Sequence, residues 1–262
     1  MNSATSEWKR ALAIVQEGWI VSPRRQPCIE ILNHTSVVDM KKPKVVCPPR
    51  KLGKKFQYAE AAWILSGDNR VKTIAPYASA IKDFSDNGEV FAGAYGPPIA
   101  QQLRYILQTL IQDPYSRQAV LTIWKRDPLP SKDIPCTVSA QFIIRENAYG
   151  IRELHCIDNM RSSDVWLGWP YDVFNFSMLS TYILIELNKV LFQGQLQLGN
   201  LYLNAGSQHV YERNLEGLEK CLKWFESHYY TKEFLANLGS CDYTHFDTGD
   251  ELIDYLWEQA NS

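Results

Sequence analysis

No apolar run in this 262-residue sequence reaches membrane-spanning length. Its opening, Met-Asn-Ser-Ala-Thr-Ser-Glu-Trp-Lys-Arg, lacks the apolar core of a secretory signal. Six cysteines, at 28, 47, 136, 156, 221 and 241, form no CxxC pair and have no histidine companion at zinc-ligand spacing. These absences point to a cytoplasmic protein with free thiols and no metal, in which at most one cysteine is chemical. Neither sign of charge prevails: 27 Lys and Arg face 29 Asp and Glu, and the isoelectric point is near 6.2. No global field is therefore expected to hold nucleic acid or an anionic membrane. GxGxxG, Walker A, HExxH and GxSxG signatures are also missing. A bound nucleotide phosphate would have to be met by arginines rather than by a glycine loop. Aromatic residues, by contrast, make up 12% of the chain and include eight Trp, a reserve of large buried or ligand-stacking surface.

The remaining composition, 45% apolar and 21% charged, is ordinary for a globular protein. Periodicity and capping signals predict helices over 5–18, 56–66, 99–112, 173–193 and 215–229, the first capped by Thr5 or Ser6. Strands are predicted at 28–33, 119–124, 134–144, 153–160 and 198–205. Residues 38–55 hold six lysines, one arginine and three prolines, which predicts an exposed connection. Residues 73–100 read as loop, and 250–259 as an acidic amphipathic helix. Strands and helices mix without βαβ regularity, so the expected class is α+β in a single domain, 1–262.

Chemistry-bearing residues concentrate between Arg161 and Asp172, where charges, hydroxyls and a Gly/Pro turn interrupt apolar sequence. Upstream, Cys136 follows a proline near a strand start; it is a structural filler unless a cation such as Arg161 stabilises its thiolate. Glu60 sits within an apolar helix, either as a snorkelling surface group or as a buried acid of raised pKa. Arg24 and Arg25 occupy a basic turn, either solvated or closing over a phosphate. His209 reads as a hydrogen-bonding residue rather than a catalytic base. On these grounds alone the chain is a candidate cysteine enzyme that binds an anion.

The ordered set Asp113-Pro114-x-Ser116-Arg117, Pro135-Cys136, Arg161-Ser162-x-Asp164-Val165-x-Leu167-Gly168-x-Pro170-Tyr171 and His209-x-Tyr211 resembles thymidylate synthase and its hydroxymethylase relatives. The likeness covers roughly 5–230 and leaves a divergent C-terminal segment from about 230 to 262. It implies a large mixed β-sheet packed with helices, with one sheet face used for homodimerisation. It implies 5,10-methylenetetrahydrofolate as one-carbon donor and a pyrimidine deoxynucleotide monophosphate as substrate. Cys136 would add to C6 of the base, Glu60 would move protons through water, and Tyr95 resembles the family's active-site tyrosine. Arg161, Ser162 and Arg24 or Arg25 would hold the 5′-phosphate, joined by Arg117 from a second subunit. His209 and Tyr211 would bind the sugar hydroxyl, while Asp164 and Trp63 would face the folate.

Departures from the family pattern bear on substrate and product. Asp172 stands where thymidylate synthases carry Asn. A carboxylate accepts from the cytosine amino group and shares a proton with N3, so the resemblance sharpens to the dCMP hydroxymethylases of bacteriophages. The stretch Thr73-Ile74-Ala75-Pro76-Tyr77-Ala78 lacks the family's loop tryptophan, and the C-terminus is acidic rather than an apolar lid. A wetter site would let water trap the one-carbon group and give 5-hydroxymethyl-dCMP; C5 methylation is the alternative. Gln118 stands where the family has a second arginine, a lost charge that Arg24, Arg25 or Arg126 would make good.

Overall fold

The computed structural model describes residues 2–192, 194–227, 234–235 and 238–262. Its centre is a seven-stranded sheet. The strands are β1 (Trp19–Val21), β2 (Cys28–Asp39), β3 (Val120–Thr122), β4 (Thr137–Glu146), β5 (Arg152–Met160), β6 (Ser163–Asp164) and β7 (Gln197–Tyr211). Their order is β1-β2-β7-β5-β4-β3, with β6 beside β7. β7 runs antiparallel to β2 but parallel to β5 and β6, so the sheet is mixed and the class is α+β. A parallel pair needs a long crossover, and here that is α5 (Trp169–Leu187).

α5 is buried around most of its circumference, as befits a helix that is apolar on nearly every side. Its Ser177, Ser180 and Thr181 hydroxyls donate to carbonyls one turn back, at 2.7, 2.8 and 2.8 Å, so these polar groups enter the core already satisfied. The sheet face beneath it alternates as a half-buried sheet should: Ala140, Phe142 and Ile144 of β4 and Leu201, Leu203 and Ala205 of β7 are buried. The opposite face leaves Ile143, Ile157 and Tyr202 only half-buried.

The other helices are α1 (Ala4–Val15), α2 (Lys54–Leu65), α3 (Val71–Ile74), α4 (Gly96–Gln112), α6 (Leu215–Ser227) and α7 (Gly249–Asn261). Ser3 caps α1, accepting from the Ser6 N–H at 3.1 Å, rather than Thr5 or Ser6; the Thr5 hydroxyl instead donates to the Lys44 carbonyl at 3.2 Å. Gly18 follows because a Cβ there would lie 2.2 Å from the Glu30 carbonyl oxygen. The last residues of the helices predicted over 173–193 and 215–229 lie outside the described residues.

Several boundaries differ from those expected, each for a tertiary reason. β2 continues to Asp39 because β7 pairs along its whole length, past a left-handed Asn33 with φ 52°. α5 begins at Trp169 with Pro170 in its first turn, where a missing N–H costs nothing. Segment 38–55 is not simply exposed. Lys44 Nζ lies 5.0 and 5.3 Å from the Tyr58 and Tyr243 ring centres, and the Arg50 guanidinium stacks 4.5 Å above Trp166. Within 73–100, α3 and a tight turn at Ser79–Phe84 replace much of the expected loop.

The acidic C-terminal stretch is a helix, as its pattern predicts. Thr248 caps α7, accepting from the Glu251 N–H at 3.1 Å. Leu252 and Leu256 join Ala61 and Ala62 of α2 and Phe174 and Met178 of α5 in a second apolar cluster. No helix among the described residues is long and apolar enough to cross a membrane.

Candidate active site

Cys136 stands just before β4, and the pairing of Thr137 with Met160 brings the ends of β4 and β5 together. Arg161, the next residue, donates its N–H to the Cys136 carbonyl at 2.8 Å. Its guanidinium is then spread over the approach to the sulfur. Nε donates to the Pro135 carbonyl and Nη2 to that of Ile134, both at 2.9 Å, and Nη1 reaches Ser162 Oγ at 3.1 Å. The sulfur receives Ser162 Oγ at 3.6 Å and Arg161 Nη2 at 3.9 Å. Burial pushes the Cys136 thiol up, while the Ser162 hydrogen bond and the Arg161 charge pull it down. Trp124 lies 5.8 Å from the guanidinium carbon.

Behind this cluster is a cavity of about 280 Å³ whose lining includes Glu60, Trp63, Tyr95, Asp133, Asp172 and Asn175. α2 supplies Glu60 and Trp63, α5 supplies Asp172 and Asn175, and Tyr95 immediately precedes α4. No lysine or arginine among the described residues lines it. Burial raises the Glu60 carboxyl to about 7, against the lowering effect of Asn175 Nδ2, which donates to Oε2 at 2.9 Å. Asp172 is pushed well above the usual carboxylate range by burial, then by the nearby Glu60 and Asp164. Burial raises Asp133 too, although its Oδ2 accepts from the Gly93 N–H at 2.7 Å. The Tyr95 hydroxyl accepts from the Thr137 N–H at 3.1 Å, which ties it to the residue after Cys136.

His209 and Tyr211 lie within β7 rather than after it, their rings 5.2 Å apart edge to face. His209 is the register partner of Asp164 in β6. Burial lowers the histidine's pKa against the raising effects of Asp164 and Glu30. Asp164 Oδ1 accepts from the Trp166 and Leu167 N–H groups at 2.8 and 2.9 Å. Asp164 Oδ2 and Trp63 Nε1 are buried without partners among the described residues.

The remaining predicted arginines stay apart. Arg24 and Arg25 are exposed at left-handed φ of 52° and 61°, and Arg25 borders a surface cleft with Arg213 rather than touching Arg161. Arg117 is exposed ahead of β3, with Gln118 beside it. Arg126 pairs with Asp127, at 3.8 Å. None of the four joins the Cys136 cluster among the described residues. Nor does size alone locate the chemistry: a larger cavity of about 680 Å³, lined in part by Lys189, Cys241 and His245, holds none of the predicted residues. Groups of His, Cys, Asp and Glu able to hold a metal are absent among the described residues.

Sequence reading missed three residues. Asn175 carries a usable signal, its spacing of three from Asp172 on one helix face. Asp133, three residues before Cys136, and Arg50, which donates to the Trp166 carbonyl at 2.7 Å, carry none.

The thymidylate synthase family model matches residues 11–235. The chain belongs to the thymidylate synthase family. It is 27% identical over 184 residues to a bifunctional dihydrofolate reductase–thymidylate synthase of Paramecium tetraurelia, covering 69% of this chain and 34% of that one. It is 25% identical over 173 residues to thymidylate synthase of Buchnera aphidicola subsp. Baizongia pistaciae, covering 62% and 61%. A deoxyuridylate hydroxymethyltransferase of Pseudomonas phage M6 is 31% identical over 137 residues, covering 49% and 38%. The chain thus spans between a third and two thirds of these relatives' lengths.

Proposed function

We propose that this family member converts dCMP to 5-hydroxymethyl-dCMP. The observation that carries the reading is Asp172, a carboxyl in a cavity with no lining cation among the described residues, whose surroundings favour the protonated form. Such a group donates from one oxygen and accepts at the other. It can donate to N3 of cytosine and accept from the 4-amino group, drawing electron density out of the ring and exposing C6 to the thiolate of Cys136. Arg161 and Ser162 stabilise that thiolate and present free donor capacity to the 5′-phosphate. Glu60, poised near neutrality, can both give and take a proton. Tyr95 holds the Cys136–Thr137 backbone in place, and His209 and Tyr211 receive the sugar.

The residues present fit the co-substrate: an apolar wall of Trp63, Ile81, Phe84 and Phe91 suits a flat ring, and Trp63 Nε1 is an orphan donor in it. Methylenetetrahydrofolate held there would supply the one-carbon unit to C5. Water as the final nucleophile is supported by the place of α7. It packs against α2 and α5, and no described residue beyond Asn175 lines the cavity. Among the described residues, exclusion of water, which hydride transfer demands, has no apolar C-terminal lid to provide it. Exposed Arg117 and the half-buried outer sheet face are suited to a second copy of the chain, so we also propose a homodimer with Arg117 reaching the partner's phosphate site.

One observation favours a second reading, hydroxymethylation of dUMP. The phage M6 relative is named for it, and a neutral carboxyl can serve uracil with its proton on the other oxygen. Tritium release from 5-labelled dCMP, dUMP and CMP, with methylenetetrahydrofolate present, separates them. Fastest release from dCMP without dihydrofolate absorbance near 340 nm is expected. Preference for dUMP would remove the dCMP reading, and dihydrofolate formation would remove hydroxymethylation.

A further inference from the structure

Asn175 is 6% exposed and lies three residues beyond Asp172 on α5; both side chains line the cavity that Glu60 enters from α2. The orientation of its amide is set by Glu60, whose Oε2 accepts from Nδ2 at 2.9 Å. The amide oxygen Oδ1 is buried and has no hydrogen-bond partner among the described residues. An amide oxygen accepts and never donates. With Nδ2 committed to Glu60, turning the amide over would forfeit that bond.

We propose that Asn175 is the residue that selects a 4-amino over a 4-oxo pyrimidine, through the acceptor Oδ1. This rests on the cavity being the base pocket of the reaction proposed above. Asp172 alone separates the two bases poorly. A neutral carboxyl pairs with N3 and the amino group of cytosine, or with N3–H and O4 of uracil, by moving its proton between oxygens. The second amino hydrogen is what differs. Cytosine has two hydrogens on N4, one for Asp172 and one for Asn175 Oδ1, so both amino hydrogens and the orphan amide oxygen are satisfied. Uracil gives one O4 lone pair to Asp172 but sets the other against Oδ1, which repels it and leaves Oδ1 unpaired in a water-poor site, the kind of mismatch a polar pocket rejects. Glu60 thereby has a role beyond proton transfer: it holds the amide in the orientation that reads the base.

The test measures dissociation constants for dCMP and dUMP by titration calorimetry, with tritium release in parallel, for the intact chain and for Asn175→Ser and Asn175→Ala. Serine offers a hydroxyl that can donate or accept, and alanine removes the acceptor, so a folding defect in one leaves the other informative. The intact chain is expected to prefer dCMP. Each variant should lose at least about tenfold of that preference, through weaker dCMP binding with dUMP binding unchanged or tighter. Equal loss of affinity for both nucleotides would reduce Asn175 to a prop for Glu60 and overturn this inference alone. A preference for dUMP in the intact chain would overturn the dCMP reading itself and this inference with it.

Discussion

At the rim of the site, Arg161 and Ser162 bring a guanidinium and a hydroxyl to the Cys136 sulfur, and the guanidinium stays exposed. A short way in, Glu60, Asp133 and Asp172 share a cavity without one lining cation among the described residues. The rim favours anions: a thiolate, and under the proposed chemistry a phosphate. The cavity does the reverse, since burial raises the pKa of each of its carboxyls, and like charge raises Asp133 and Asp172 further. A pyrimidine nucleotide has both needs, an anionic end and a ring that must exchange protons. Under the proposed chemistry two opposite electrostatic environments serve one substrate, the rim through its exposed cation and the cavity through the burial of its acids.

The most severe way to break the rim is Cys136→Ser. Tritium release should fall by at least about 10³-fold while nucleotide binding persists; retained release would show that the thiol is a bystander. The cavity is probed by Glu60→Gln. Its carboxyl is raised from 4.5 to about 7 in the fold, so its contribution to stability is complete below about 4.5 and is lost as pH rises through 7. Urea unfolding should show the native chain losing roughly 2–3 kcal/mol relative to Glu60→Gln between pH 5 and 8, at about 1.36 kcal/mol per pKa unit. Equal pH slopes would place the carboxyl in water. Arg161→Lys keeps the charge but loses the fork-shaped contacts, so kcat/KM should drop about 10- to 100-fold, and iodoacetamide should alkylate Cys136 more slowly. Unchanged alkylation would mean that Arg161 does not tune the sulfur. The mildest change, Trp124→Leu, removes a ring facing the guanidinium and should cost about 0.5–1 kcal/mol, or two- to fivefold in kcat/KM. A larger loss would make Trp124 part of the phosphate site.

Residues that act through their neighbours in sequence were the legible ones. Arg161, Ser162 and Asp164 belong to the motif that carries the family likeness, and Asp172 directly follows it as a departure from the pattern. Glu60 was ambiguous because an acid in an apolar helix reads the same whether buried or snorkelling. Only the packing of α2 against α5, with Asn175 as donor, decides the matter. Arg24 or Arg25 was expected to close over the phosphate; both lie in an exposed turn, where Arg25 borders a surface cleft with Arg213. The acidic C-terminal helix was visible from its period, but its docking surface was not, because Ala61, Ala62 and Met178 carry no mark distinguishing them from ordinary core residues.

By itself the sequence determined the family, the mixed α+β class and the identity of the nucleophile candidate, since these rest on residue types at short fixed spacings and on local period. Tertiary structure decided which acids lose their water, which way the Asn175 amide faces, and where the C-terminal helix lies. Those properties come from groups far apart in the chain, brought together around α5, and desolvation and hydrogen-bond direction arise only when such groups meet.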